Sequence, residues 1–238
     1  MENIDIIKGI IFDYGGTIDS RGVHWSEVIW DGYQAAGVPV DKPTFREAYV
    51  FAERELARTR HILPHHTFAD LLLIKMRIEL QWLADQSHLP ADAAELWAKP
   101  VADYCYDAAK NSIADARPVL DALYERYPMV LVSNFYGNVE SVLEDFDLRR
   151  YFRSIIESAV VGVRKPDPQI FRLGVDALGL RPEEVLVVGD SYKKDIVPAE
   201  SLGCHVAWLK GKGWTADEDA QMHPSIIASL SELLSLAN

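Results

Sequence analysis

The chain has 238 residues, of which 49% are apolar and 25% charged, enough to build one large domain or two modest ones and too apolar for disorder. Its formal net charge of −12 argues against any broad nucleic-acid or anionic-membrane footprint, since phosphate-rich partners need clustered Lys and Arg. A small phosphorylated ligand, held by one or two placed cations, remains open.

The N-terminal Met1-Glu2-Asn3 has no basic region or signal-like apolar core, and no apolar run is long enough to cross a bilayer, so cytoplasmic residence is expected. Residues 7–12 read as an apolar strand that ends on Asp13 and a Gly15-Gly16-Thr17 turn. Residues 22–111 read as helices alone. Phe45, Tyr49, Ala52 and Leu56 form one stripe at helical spacing, and Phe68, Leu72, Met76, Leu80 and Leu83 form another; both are read as packing faces. Gly37-Val38-Pro39, Leu63-Pro64 and Leu89-Pro90 punctuate these helices. Further strands are predicted at 129–132, 154–157, 185–188 and 206–209, alternating with helices at 139–146, 169–178 and 194–201. That alternation predicts an α/β fold with a doubly wound parallel sheet whose strand carboxyl ends share one edge. The expected division is a core of residues 1–19 and 114–238, with 20–113 inserted as a helical cap over the strand ends. Cys105 and Cys204 fall in different elements and are expected to be buried, reduced thiols.

Four separated segments place chemistry at or just beyond a predicted strand. Asp13 closes the first; Ser133-Asn134 closes the second; Lys165 sits in Arg164-Lys165-Pro166-Asp167-Pro168; and Gly189-Asp190 followed by Asp195 closes the strand at 185–188. A carboxylate nucleophile, a hydroxyl, a lysine and an acidic pair make a phosphoryl-transfer set. Each has a plainer alternative: a strand-end aspartate or Ser133 can cap the next helix, and Lys165 can be a surface lysine.

In this order the motifs resemble the haloacid dehalogenase-like (HAD) hydrolases, in the subfamily whose helical cap follows the first motif. The resemblance covers the sheet domain. It implies that Asp13 attacks phosphorus to form an aspartyl phosphate, with Mg²⁺ held by Asp13, the Gly15 carbonyl and Asp190, and Asp195 behind them. Lys165 would neutralise charge. Ser133 and the Asn134 amide would take phosphoryl oxygens, and Thr17 would hydrogen-bond behind the nucleophile. The family pattern is Asp-x-Asp-x-Thr, whose second Asp shuttles a proton; here Gly15 stands in its place.

A Mg²⁺-dependent phosphatase acting on a small phosphorylated metabolite is therefore the expected activity. Two other classes stay open. A 2-haloacid dehalogenase also lacks the second Asp, but has no evident use for Asp190 and Asp195; a silent phospho-ligand binder would hold metal and ligand without turnover. In the cap, Arg54, Arg58, Arg60, His61, His65 and His66 form a cationic stretch read first as a solvated face. His24, Glu27 and Asp31 are possible proton donors or ordinary helix positions, and Lys42, Lys75 and Lys99 carry no Schiff-base motif.

Overall fold

The structure, a computed structural model, describes residues 6–236; residues 1–5 and 237–238 of the expected core lie outside the described ones. Six parallel strands form one sheet in the order β3-β2-β1-β4-β5-β6. They are β1 (Gly9–Phe12), β2 (Met129–Ser133), β3 (Ser154–Glu157), β4 (Val185–Gly189), β5 (His205–Leu209) and β6 (Ile226–Ile227). β1, β2 and β4 are buried along their whole length, as Val- and Ile-rich strands covered on both faces must be. β1 begins at Gly9, two residues later than the apolar run suggests. A Cβ at position 9 would sit 2.7 Å from Leu180, so the strand starts where a side-chain-free residue fits beneath that leucine. The two-residue edge strand β6 was not anticipated.

The predicted helices map onto α5 (Val139–Asp145), α7 (Gln169–Leu178) and α8 (Val197–Ser201), with the short α6 (Ser158–Val161) and α9 (Ala216–Ala220) unforeseen. The expected α-helix from 194 is corrected: Tyr192–Ile196 is a π-helical turn, and α-helical geometry starts only at Val197. The wider turn lets the amides of Asp195 and Ile196 both reach the Ser191 carbonyl.

Between β1 and β2 lie α1 (Trp25–Ala35), α2 (Lys42–Arg58), α3 (Phe68–Asp85) and α4 (Ala93–Tyr124). Their starts are written in the sequence: Asp41 accepts from the Thr44 amide, and Thr67 and Asp70 form a reciprocal capping box. Both apolar stripes are buried. α4 runs 32 residues without a break through Ala114, where the sequence places the return to the core. It packs on α1 and α3 and on the 3₁₀ turns Arg149–Tyr151 and Leu230–Leu236, with Tyr124 at its end against the Tyr151 ring.

Candidate active site

The register aligns Phe12 with Leu131 on one side and with Val188 on the other, so the residues just beyond β1, β2 and β4 emerge on one edge. β1 is also where the strand order reverses, and a cleft opens beyond the carboxyl ends at such a switch point. There Asp13, Ser133, Lys165, Asp190 and Asp195 meet.

The Lys165 Nζ donates to Asp13 Oδ1 and to Asp195 Oδ1, both at 2.6 Å. Ser133 Oγ donates to Asp13 Oδ1 at 3.1 Å, so Ser133 does not cap α5, whose N-cap is Asn138. Thr17 Oγ1 lies 3.2 Å from Asp13 Oδ2 and 3.4 Å from Asp190 Oδ1. Asp195 is further fixed by the Ser191 amide at 3.0 Å. The Asn134 side chain serves a purpose not anticipated: its Oδ1 accepts from the Lys165 amide and its Nδ2 donates to the Lys165 carbonyl, at 2.9 and 3.1 Å. That pair of hydrogen bonds fixes the backbone from which the lysine reaches inward.

The electrostatics of this cluster are unbalanced. Asp13, Asp190 and Asp195 present carboxylate oxygens within 4.8 Å of one another, and among the described residues Lys165 is the one cation bonded to them. Burial pushes Asp13 above its ordinary value; Lys165 pulls it back and Asp195 opposes Lys165. Asp190 is driven well up, by burial first and then by Asp195 and Asp13. Burial alone would pull Lys165 down, but Asp13 and Asp195 outweigh it and hold the ammonium charged. Three hard oxygen donors with one compensating charge fit a small divalent cation. The loop's own hydrogen bonds fall on the carbonyls of Tyr14 and Gly16, and none among the described residues falls on the Gly15 carbonyl, which is left available as a fourth oxygen. Gly16 is required by close approach: its φ is +98°, and a Cβ there would lie 2.4 Å from the Asp190 carboxylate.

A cavity of about 790 Å³ extends from these residues to the underside of the helices. Gly15 lines it, and a Cβ at that position would meet nothing within 4 Å. Asp19 and His24 also line it. Asp19 accepts from the Gly16 amide and Trp25 Nε1 on Oδ1 and leaves Oδ2 without a partner; burial raises its carboxyl to about 8. His24 caps α1, with Nδ1 taking the Ser26 amide, and burial, then Lys194, lowers its imidazole to about 4.

A family model, haloacid dehalogenase-like hydrolase, matches residues 7–203. The chain belongs to the haloacid dehalogenase-like hydrolases. The mouse haloacid dehalogenase-like hydrolase domain-containing protein 3 is 29% identical over 213 residues, covering 84% of this chain and 82% of that protein. Glyceraldehyde 3-phosphate phosphatase of Methanocaldococcus jannaschii is 39% identical over 87 residues, 36% of this chain and 38% of that one. Among solved structures, the magnesium-bound HAD-hydrolase YfnB of Bacillus subtilis shares the fold with a TM-score of 0.62 at 17% identity, over 98% of this chain and 99% of that chain.

The HAD-like hydrolase uses little of the cationic stretch of its helices. Arg54 lines the cavity, whereas Arg58 and His61 both bind Glu55, and His66 Nδ1 takes the Leu63 amide. Glu27 is tied to Lys42 and Arg46, and Asp31 is exposed. What sequence reasoning missed is Lys75, Glu53 and Tyr136, all on the cavity wall. A signal existed. Lys75 and Glu79 occupy buried positions on the apolar face of α3, where a charged pair four residues apart must answer to something inside.

Proposed function

We propose that this HAD-like hydrolase is a Mg²⁺-dependent phosphatase acting on a small phosphorylated metabolite through Asp13. The observation that carries the reading is the trio Asp13, Asp190 and Asp195, the first and last buried and Asp190 half-buried, over-supplied with negative charge against Lys165. A reaction that needed no cation would have no use for Asp190. The phosphatase named among its relatives supports the same choice.

Asp13, Gly15 through its carbonyl, and Asp190 would hold the metal, with Asp195 anchoring Lys165 beside them. Bound there, Mg²⁺ would shield the charge between the carboxylates and the phosphoryl oxygens. An Asp13 oxygen attacks phosphorus; the new O–P bond forms as the ester oxygen departs with its electron pair. Water then attacks the aspartyl phosphate, releasing phosphate and restoring Asp13. Lys165 and Ser133 orient Asp13 and stabilise developing charge, with Thr17 on its other oxygen. The cap, residues 20–113, closes over the ester and selects it. With Gly15 carrying no acid, esters whose oxygen leaves readily, aryl or acyl phosphates, should be favoured. Buried thiols at Cys105 and Cys204 suit cytoplasmic residence, and no described helix is long and apolar enough to cross a membrane.

The test is phosphate release from a panel of phosphomonoesters with Mg²⁺ or with a chelator. Mg²⁺-dependent release that Asp13→Asn abolishes supports the reading. Chloride release from 2-chloropropionate, unaffected by chelation, would replace it with the dehalogenase reading that the empty position at Gly15 favours. Mg²⁺ and phosphate-ester binding without release of either product would leave a silent binding protein.

A further inference from the structure

Beyond the phosphoryl site, the cavity wall holds an acid that is fixed in place and only half used. Glu53 of α2 takes two hydrogen bonds on the same oxygen, Oε1: from Lys75 Nζ of α3 at 2.5 Å and from Tyr136 Oη, after β2, at 2.9 Å. Lys75 is buried, and its ammonium lies 4.4 Å from the centre of the Tyr49 ring, so its position is set from two sides. Oε2 takes part in neither bond, while 37% of the Glu53 side chain remains accessible and the residue lines the cavity. A carboxylate held this way costs no reorganisation when it accepts one more hydrogen bond.

The charges around Oε2 decide what it accepts. Lys75 neutralises Glu53, and Lys194 adds a second positive field. An ammonium on the ligand would gain from Glu53 and lose to both lysines. A ligand carboxylate would meet Glu53 itself, because the Lys75 charge is already committed. A neutral hydroxyl pays neither cost and supplies the proton that Oε2 lacks.

We propose that Glu53, positioned by Lys75 and Tyr136, is a specificity residue that reads a hydroxyl group on the alcohol part of the phosphate ester. This rests on the phosphatase reading of the cavity floor and adds the chemical class of the group bound at its roof. A hydrogen bond to a charged acceptor in such a site distinguishes hydroxyl from methyl by about 10–100-fold.

The experiment compares phenyl phosphates bearing methyl, hydroxymethyl, aminomethyl or carboxyl, each as the 3- and 4-isomers. kcat/KM is measured for the unaltered chain, and binding by calorimetry to the Asp13→Asn chain, so that ranking is read even where turnover fails. The hydroxymethyl ester is expected to lead its methyl counterpart by about tenfold or more in one isomer. Glu53→Gln frees Lys75 and should move preference towards the carboxyl ester. Lys75→Met leaves Glu53 uncompensated and should move it towards the aminomethyl ester. Opposite shifts are beyond what a loosened cap would produce. Absence of turnover together with this ranking in the binding arm would overturn the phosphatase reading and leave the Glu53 assignment standing. Equal binding of hydroxymethyl and methyl esters, or one ranking shared by all three chains, would overturn the assignment.

Discussion

Replacing Gly15 with Asp puts the missing acid to a direct test. Nothing lies within 4 Å of the added Cβ, the backbone there is not in the left-handed region, and the position lines the cavity, so the substitution starts into open space. Its charge state also follows from its neighbours. A carboxylate about 7 Å from another, at an effective dielectric of about 20, feels about 2 kcal/mol of repulsion, close to two pKa units. Asp13, Asp190 and Asp195 would lift the new group and Lys165 would offset one of the three, which leaves a net upward push from about 4 into a range where it can both give and take a proton. A general acid contributes roughly 10²–10⁴-fold, and the benefit falls on esters whose oxygen leaves poorly. Alkyl phosphate turnover should rise by about 10² or more, and 4-nitrophenyl phosphate turnover by less than about tenfold. The assay is kcat/KM for both esters with saturating Mg²⁺, alongside a melting curve to verify the fold. An equal change on both esters, in a folded variant, would refute the idea that a proton is what this site lacks.

Asp190→Asn should weaken Mg²⁺ binding by tenfold or more, read by calorimetry, while Lys165 keeps both its partners; unchanged affinity would remove Asp190 from the metal site. For Asp19 the sign follows from its folded value of about 8 against an ordinary 3.8. The unfolded chain ionises first, so this group's contribution is fully present below about pH 4 and is lost as pH rises towards 8, at roughly 1 kcal/mol per pH unit. Asp19→Asn should abolish that slope, and its melting temperature should gain on the unaltered chain between pH 5 and pH 8; parallel curves would contradict the burial of an acid. If the cap moves as a unit, solution scattering should show compaction on adding Mg²⁺ with a phosphate mimic, and an unchanged radius of gyration from an open starting state would count against it.

Much of this was legible because the signals are local. A Val- and Ile-rich run ending on a polar or charged residue announces a buried parallel strand, and several such ends in one chain announce a shared edge; on that ground Asp13, Ser133, Lys165 and Asp190 are expected together, and the structure has Ser133 and Lys165 bonded to Asp13, with an Asp190 oxygen within 4.8 Å of one on Asp13. What escaped was whatever depends on a partner remote in sequence. Nothing local says that the Asn134 amide would clasp Lys165, 31 residues later. Glu53 of α2, Lys75 of α3 and Tyr136 of the loop after β2 are far apart in sequence, and only Lys75, paired with Glu79 on a buried face, carries a local signal. The π-helical turn at Tyr192–Ile196 is set by the need to fold Asp195 back onto Ser191, a tertiary demand that helical propensity does not carry.

No residue among those lining the cavity comes from α4, yet this helix determines how roof and floor face each other. It packs on α1 and α3 of the roof and leads into β2 of the sheet, so the two halves of the site are keyed to one screw axis. Adding or deleting a single residue near Ala114 would turn one end against the other by about 100° and shift it by about 1.5 Å, carrying Glu53 and Lys75 out of line with Asp13. Pro118, without an N–H, leaves the Ala114 carbonyl outside the hydrogen-bond ladder, so this is also where the axis bends most easily. Residue count along α4 is thus a specification of the active site, and neutral-looking insertions there should be as damaging as losing a ligand.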